Sequence, residues 1–187
     1  MTKLRSLSVL SLILLCQAAA FANDTICANT FITGTHENVI VPPGIICVSA
    51  VHIKGSVKVF GAYIAHAGTT VEGNIDGESG HLFVWLSGFQ VLVLGNVQLK
   101  ESASSEPSGY ASGTEIRGDF KWEKNSNFLF AHGGTIGGNF VMEKSTGGGE
   151  IVGNGIQGNL ICSENDLPPI GGDNSVGGNR DEECWGF

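Results

Sequence analysis

An aliphatic residue, a free position, a glycine, a small polar residue and a second apolar residue follow one another repeatedly along this chain. The complete copies are Ile53-Lys54-Gly55-Ser56-Val57, Val71-Glu72-Gly73-Asn74-Ile75, Val93-Leu94-Gly95-Asn96-Val97, Ile116-Arg117-Gly118-Asp119-Phe120, Ile136-Gly137-Gly138-Asn139-Phe140 and Ile156-Gln157-Gly158-Asn159-Leu160. Val176-Gly177-Gly178-Asn179 closes the series, and Ile32-Thr33-Gly34-Thr35 reads as a degenerate opening member. Successive glycines lie 21, 18, 22, 23, 20, 20 and 20 residues apart. A period near twenty is the mark of a solenoid, because one copy cannot bury its apolar side while stacked copies share a core. Alternation within each copy means strand, with Ile136, Phe140 and Met142 facing inward. No long stretch of the chain after residue 22 lacks glycine, so helix is disfavoured.

The expected fold is therefore all-β: a single-domain parallel β-solenoid of about eight rungs of ~20 residues over 23–187. Stacking at ~4.8 Å per rung gives a column of roughly 34 Å. The glycine is explained by a tight turn or by close approach of neighbouring rungs. Asn74, Asn96, Asn139, Asn159 and Asn179 share one position, with Ser56 and Asp119 substituting. That column predicts a ladder of side-chain amides bonded along the stack. The rung from Gly55 is short, and the rung from Gly95 carries the polar stretch Glu101 to Gly113, which reads as a protruding loop. Right-handed β-helices accept such insertions, whereas left-handed hexapeptide helices keep stricter register, so the right-handed form is expected.

The first 22 residues stand apart. Lys3 and Arg5, the apolar run Leu7 to Leu15 and Ala20-Phe21-Ala22 form the three regions of a secretory signal peptide cleaved near Ala22. The run is shorter than the roughly 20 residues that span a bilayer, and no membrane span is expected in the mature chain. Residues 23–187 carry 8 basic and 18 acidic residues, a balance of −10. Such a chain repels nucleic acid and anionic lipid, so neither is an expected partner.

Cysteine spacing then adds covalent detail. Cys27, Cys47, Cys162 and Cys184 remain after cleavage, and four cysteines allow three pairings. Cys27 and Cys47 are 20 apart, Cys162 and Cys184 22 apart, each about one coil. Vertical neighbours at rung spacing satisfy disulfide geometry, so one staple is expected at each end. No C-x-x-C occurs, which argues against zinc.

With these residues placed, the chain resembles a group of small secreted bacterial β-helix proteins of unassigned function. The likeness lies in Val41-Pro42-Pro43-Gly44 followed by Cys47, in the repeated rungs, and in Gly158-Asn159-Leu160-Ile161-Cys162 leading through Asn174 and Gly178-Asn179 to Cys184. It covers essentially the mature chain. It implies the β-helix fold and a secreted location, and it brings no catalytic residues. Phe83, Trp85, Phe89, Phe128 and Phe130 depart from the small-residue rungs of that group.

Candidate chemistry is sparse. Asp76 and Asp119 sit two rungs apart, roughly 10 Å, which suits an inverting glycosidase pair only if both face one groove. By position they read as isolated carboxylates at turns. Asp173, Asp181, Glu182 and Glu183 crowd the C-terminal end and read as a solvated acidic tail. His36, His52, His66, His81 and His132 do not share one coil position, so no metal cluster is expected. A threonine array for ice is broken, because Leu92 and Glu115 stand between Thr70 and Thr135. Trp122 has an inward phase. Trp85, Tyr63 and Tyr110 are the surface candidates for stacking on sugars.

The reading that follows is a secreted or periplasmic, non-catalytic structural or adhesive β-solenoid at or outside the cell envelope. Its alternative is a carbohydrate-binding module or a small polysaccharide-degrading β-helix enzyme. No cofactor or catalytic residue is assigned. Polysaccharide or cell-envelope components are the expected partners, and the oligomeric state is open.

Overall fold

A computed structural model describes residues 24–28, 31–80, 83–87, 90–103 and 109–184. The expected leader, residues 1–22, lies outside the described residues, as do His81 and Phe89. The described chain forms a parallel β-solenoid of about seven turns, with a 3-10 turn at Glu182–Cys184.

One rung shows how the sequence makes the coil. Strand Phe120–Glu123 forms a first face, Leu129–His132 a second, and the two-residue strand Thr135–Ile136 a third. Each strand alternates buried and half-buried or exposed positions. Period two is thus satisfied within a face and reset at every corner. The first faces stack as an eight-stranded parallel sheet. The second and third faces belong to one fourteen-stranded sheet, because the long strand Ile46–Ile53 runs through their shared corner and pairs on both sides of it.

Register stacks like on like in the core. Ile53, Val71, Val93, Ile116, Ile136 and Ile156 form an aliphatic column behind the third face. Behind the first face Val97, Phe120, Phe140 and Leu160 align, and the rings of Phe120 and Phe140 stack at 4.9 Å. Trp122, Phe140 and Met142 are fully buried, as their phase requires.

Three polar ladders hold the corners. At the third corner each residue's backbone N–H donates to the side-chain oxygen one rung earlier. The series runs Ser56 to Asn38, Asn74 to Ser56, Asn96 to Asn74, Asp119 to Asn96, Asn139 to Asp119, Asn159 to Asn139 and Asn179 to Asn159, at 2.6–3.0 Å. The expected ladder is present, but side-chain oxygen to backbone N–H is its main bond. Amide-to-side-chain bonds add to it at Asn38, Asn139 and Asn159. At the first corner the polarity is reversed: Ser102 N–H donates to Asn125, Asn125 to Ser145 and Ser145 to Asn165, each to the side-chain oxygen one rung later. Glu183 ends that column by accepting from the N–H groups of Glu164 and Asn165, so part of the acidic tail is a cap. At the second corner Gly134 donates to Asn154 and Asn154 to Asn174. Inside, the Asn154 and Asn174 amides donate to the carbonyls of Ala131 and Ile151. Buried backbone groups at the bends are thereby satisfied.

The glycine column owes its identity to close approach. A Cβ at Gly158 would lie 2.7 Å from both Asn139 Oδ1 and Gly138 O. This corrects the opening of the series. Gly34 pairs with Val51, not with the glycine column. Gly55 N–H donates to Glu37 O, and Asn38 begins the ladder, its amide donating to Asp24.

A second correction concerns Glu101 to Gly113. Strands Val97–Ser102 and Gly109–Ser112 take up its two ends, so the expected loop is shorter than that stretch. Residues 104–108 lie outside the described residues. The staples join Cys27 to Cys47 and Cys162 to Cys184, with Cα separations of 5.8 and 5.4 Å.

Candidate functional site

The three faces differ in what they turn outward. The first face is mixed: its outward register runs Ile26, Ile40, Lys58, Asp76, Gln98, Lys121, Val141 and Ile161, charged in the middle and aliphatic at both ends, with Ile26 62% exposed. Glu123 lies 3.4 Å from Lys121 and 3.7 Å from Lys100, across one strand and the next. Burial pushes the Glu123 carboxyl up, but Lys121, Lys100 and Lys124 outweigh burial and hold it below the usual range. The third face is polar, with a hydrogen bond between His52 and Glu72 at 2.7 Å and an ion pair between Arg117 and Glu115.

Asp76 is half-buried on the first face, in register with Gln98 and Lys121. Burial raises its carboxyl above the ordinary value, against the pull of Lys58. Asp119 lies at the third corner, where Oδ1 accepts from Asn139 N–H at 2.6 Å and from the Asn139 amide at 3.2 Å. The two carboxylates do not face one groove, and Asp119 is bound into the ladder. The depression beside Asp76 holds about 160 Å³, with Glu78 and Lys100 in its lining. A larger open groove of about 570 Å³ follows the second corner, and Glu115 is the one carboxylate in its described lining. Among the described residues, no three His, Cys, Asp or Glu side chains are grouped to hold a metal ion.

The aromatic candidates separate. Tyr63 is a correction: it is fully buried, and its hydroxyl accepts a hydrogen bond from Ser49 Oγ at 2.8 Å. Burial pushes its phenol up to about 12. Ala62-Tyr63-Ile64-Ala65 has no strong phase of its own. The ring goes inside because the core supplies a hydroxyl partner for its polar end. Trp85 is on the surface, as expected. Tyr110 is described only through its backbone, which pairs with Trp85 on one side and Phe130 on the other.

That pairing belongs to a column that counting along the chain missed. Along the second face the register is Phe31, Val48, Ile64, Trp85, Tyr110, Phe130, Glu150 and Ile170. Seven of the eight are apolar or aromatic, on positions that alternate with the core positions of the same strands. Phe31 is 57% exposed, Trp85 38% and Ile170 62%. Beside the column, Ile46 and Leu167 are 53% and 56% exposed. The Phe128 and Phe130 rings lie 4.8 Å apart, and Phe130 meets the His132 ring edge-on at 5.9 Å. His132 also lies 3.6 Å from Glu150. Between the end strands, Val48, Ile64 and Phe130 are half-buried.

The two disulfides set the compartment, since such bonds persist where thiols are not kept reduced. No helix among the described residues is long and apolar enough to cross a membrane. Compared with known protein families, curated proteins and solved structures, the chain matches none.

Proposed function

We propose that the protein is a secreted or periplasmic, non-catalytic solenoid of the structural or adhesive kind. It is exported by its leader, cleaved near Ala22, and acts by surface contact at or outside the cell envelope. Its likeness to small secreted bacterial β-helix proteins agrees with this reading. The observation that carries it is the outward column of the second face, apolar or aromatic at seven of its eight positions. Chemistry finds no comparable support, because Asp76 and Asp119 do not converge and Asp119 is held in a ladder. A rigid stack with one apolar face is suited to holding a partner in place.

A second reading, polysaccharide binding, draws on Trp85, which is exposed and in backbone register with Tyr110. Aromatic faces stack on sugar rings. The test is to incubate protein purified from an exporting host, disulfides intact, with soluble and insoluble polysaccharides. Retention and newly formed chain ends are measured together. The expected result is no new chain ends. New ends that disappear in Asp76→Asn would overturn the non-catalytic reading.

A further inference from the structure

Resting on the polysaccharide reading, we infer that the open groove along the second corner is a binding site for an extended, uncharged polysaccharide. Thr70, Gln90, Glu115 and Thr135 hold its hydroxyls, and Trp85 supplies the stacking ring beside them.

The groove follows from what each rung places at that corner. Thr70, Leu92, Glu115 and Thr135 are in register as one outward column of the third face. Two residues before each of them the chain turns at Gly68, Gln90, Gly113 and Gly133, all with positive φ. A Cβ at Gly68 or Gly133 would meet nothing within 4 Å. Bare backbone therefore forms one side of the groove, and the column forms the other. Three steps of ~4.8 Å make it roughly 14 Å long. Its volume of about 570 Å³ is that of an ordinary ligand site.

Gln90 breaks the glycine pattern. Its φ is 88°, outside the left-handed well near 57°. The first corner carries Glu101, Lys124, Lys144 and Glu164 within that well, at 54–56°. Among the described residues, Gln90 is the one non-glycine residue held so far beyond it. Glycine would be the least strained choice there. Backbone strain kept at the lip of a groove points to a side chain with a task.

The lining fixes the ligand class. The threonine hydroxyls and the Gln90 amide both donate and accept hydrogen bonds, and the Glu115 carboxylate accepts. Sugar hydroxyls call for both. Arg117 Nε, 3.0 Å away, orients that carboxylate. No cationic side chain is in the described lining and the chain is acidic overall, so an anionic polymer is disfavoured. One carboxylate is too little charge for a calcium site. Ligand sites join apolar surface to a few placed polar groups. The second face has the ring and few such groups; the corner has the groups. Trp85 lies five residues before Gln90, on the strand leading into this corner, and is 38% exposed.

Heteronuclear NMR titration of the disulfide-intact protein with cello-, manno- and xylo-oligosaccharides reads the site, with oligogalacturonate as the anionic control. The amides of Gly113, Gly133 and Thr135 are expected to shift with at least one neutral series and not with oligogalacturonate. Gln90→Gly removes the amide and relieves the corner. It should raise the dissociation constant about tenfold while the thermal midpoint stays or rises. Thr135→Val keeps the shape and loses the hydroxyl; it should weaken binding equally, and it keeps the test valid if the first variant does not fold. Wild-type affinity in either folded variant would overturn the groove and leave the polysaccharide reading to Trp85. Shifts with oligogalacturonate alone would overturn the ligand class. No shift with any of these sugars would overturn both the groove and the polysaccharide reading.

Discussion

Gly158→Ala tests the reason for the glycine column. Its Cβ would sit 2.7 Å from Asn139 Oδ1 and from Gly138 O, where ordinary contact starts at 3.4 Å. The rungs must part by about 0.7 Å to admit it. Two bonds cross that gap, Gly158 N–H to Gly138 O at 2.9 Å and Asn159 N–H to Asn139 Oδ1 at 2.9 Å. Parting takes both beyond hydrogen-bond length. Two net bonds at about 1 kcal/mol each, with about 1–2 kcal/mol of overpacking strain, give a loss of about 3–4 kcal/mol. Gly155→Ala is the control. No atom lies within 4 Å of a Cβ there, and its φ is not in the left-handed region. Alanine should stabilise that site by about 0.5 kcal/mol by restricting the unfolded chain. Urea unfolding followed by circular dichroism measures both. The reasoning is refuted if Gly158→Ala stays within about 0.5 kcal/mol of wild type, the usual range of a neutral surface change, or if the two variants cost the same.

Three further outcomes follow from the same structure. Removing the C-terminal staple with Cys162→Ala and Cys184→Ala should cost about 3 kcal/mol, for a loop of about 20 residues, and fray the last rung first in hydrogen exchange. The Tyr63 phenol ionises near 10 unfolded and about 12 folded, so its contribution is present below pH 10 and lost as pH rises to 12. Tyr63→Phe should therefore lose less stability than wild type between those pH values in thermal scans. The Asp76 carboxyl is raised by burial, so its charged form weakens the fold at neutral pH. Asp76→Asn should raise the thermal midpoint at pH 7, and the gain should vanish once the carboxyl is protonated; a lower midpoint at pH 7 would contradict the assignment.

The architecture was legible because its causes repeat. Each rung needs a glycine where its neighbour approaches and a side-chain oxygen where the neighbour's N–H points, so the period appears directly in residue types. The two other ladders carry the same signal, since Asn125, Ser145 and Asn165 are 20 apart, as are Asn154 and Asn174. The opening rung was misplaced because its glycine position is occupied by Glu37. The outward column of the second face was harder to read. Its column runs Ile64, Trp85, Tyr110, Phe130, with separations of 21, 25 and 20 residues, because corner lengths differ. Counting cannot assign membership when the corners vary; only strand pairing can. Tyr63 shows the same difficulty within one strand, where flanking alanines leave the inward phase undecided.

The central claim is that the second face is the working surface. The most direct measurement compares wild type, Trp85→Lys on the second face and Lys121→Glu on the first, at equal folded concentration. Self-association is read by light scattering, and binding to polysaccharide by co-sedimentation. The account predicts that Trp85→Lys loses whichever contact wild type makes and that Lys121→Glu retains it. Loss in Lys121→Glu with contact intact in Trp85→Lys would contradict the account.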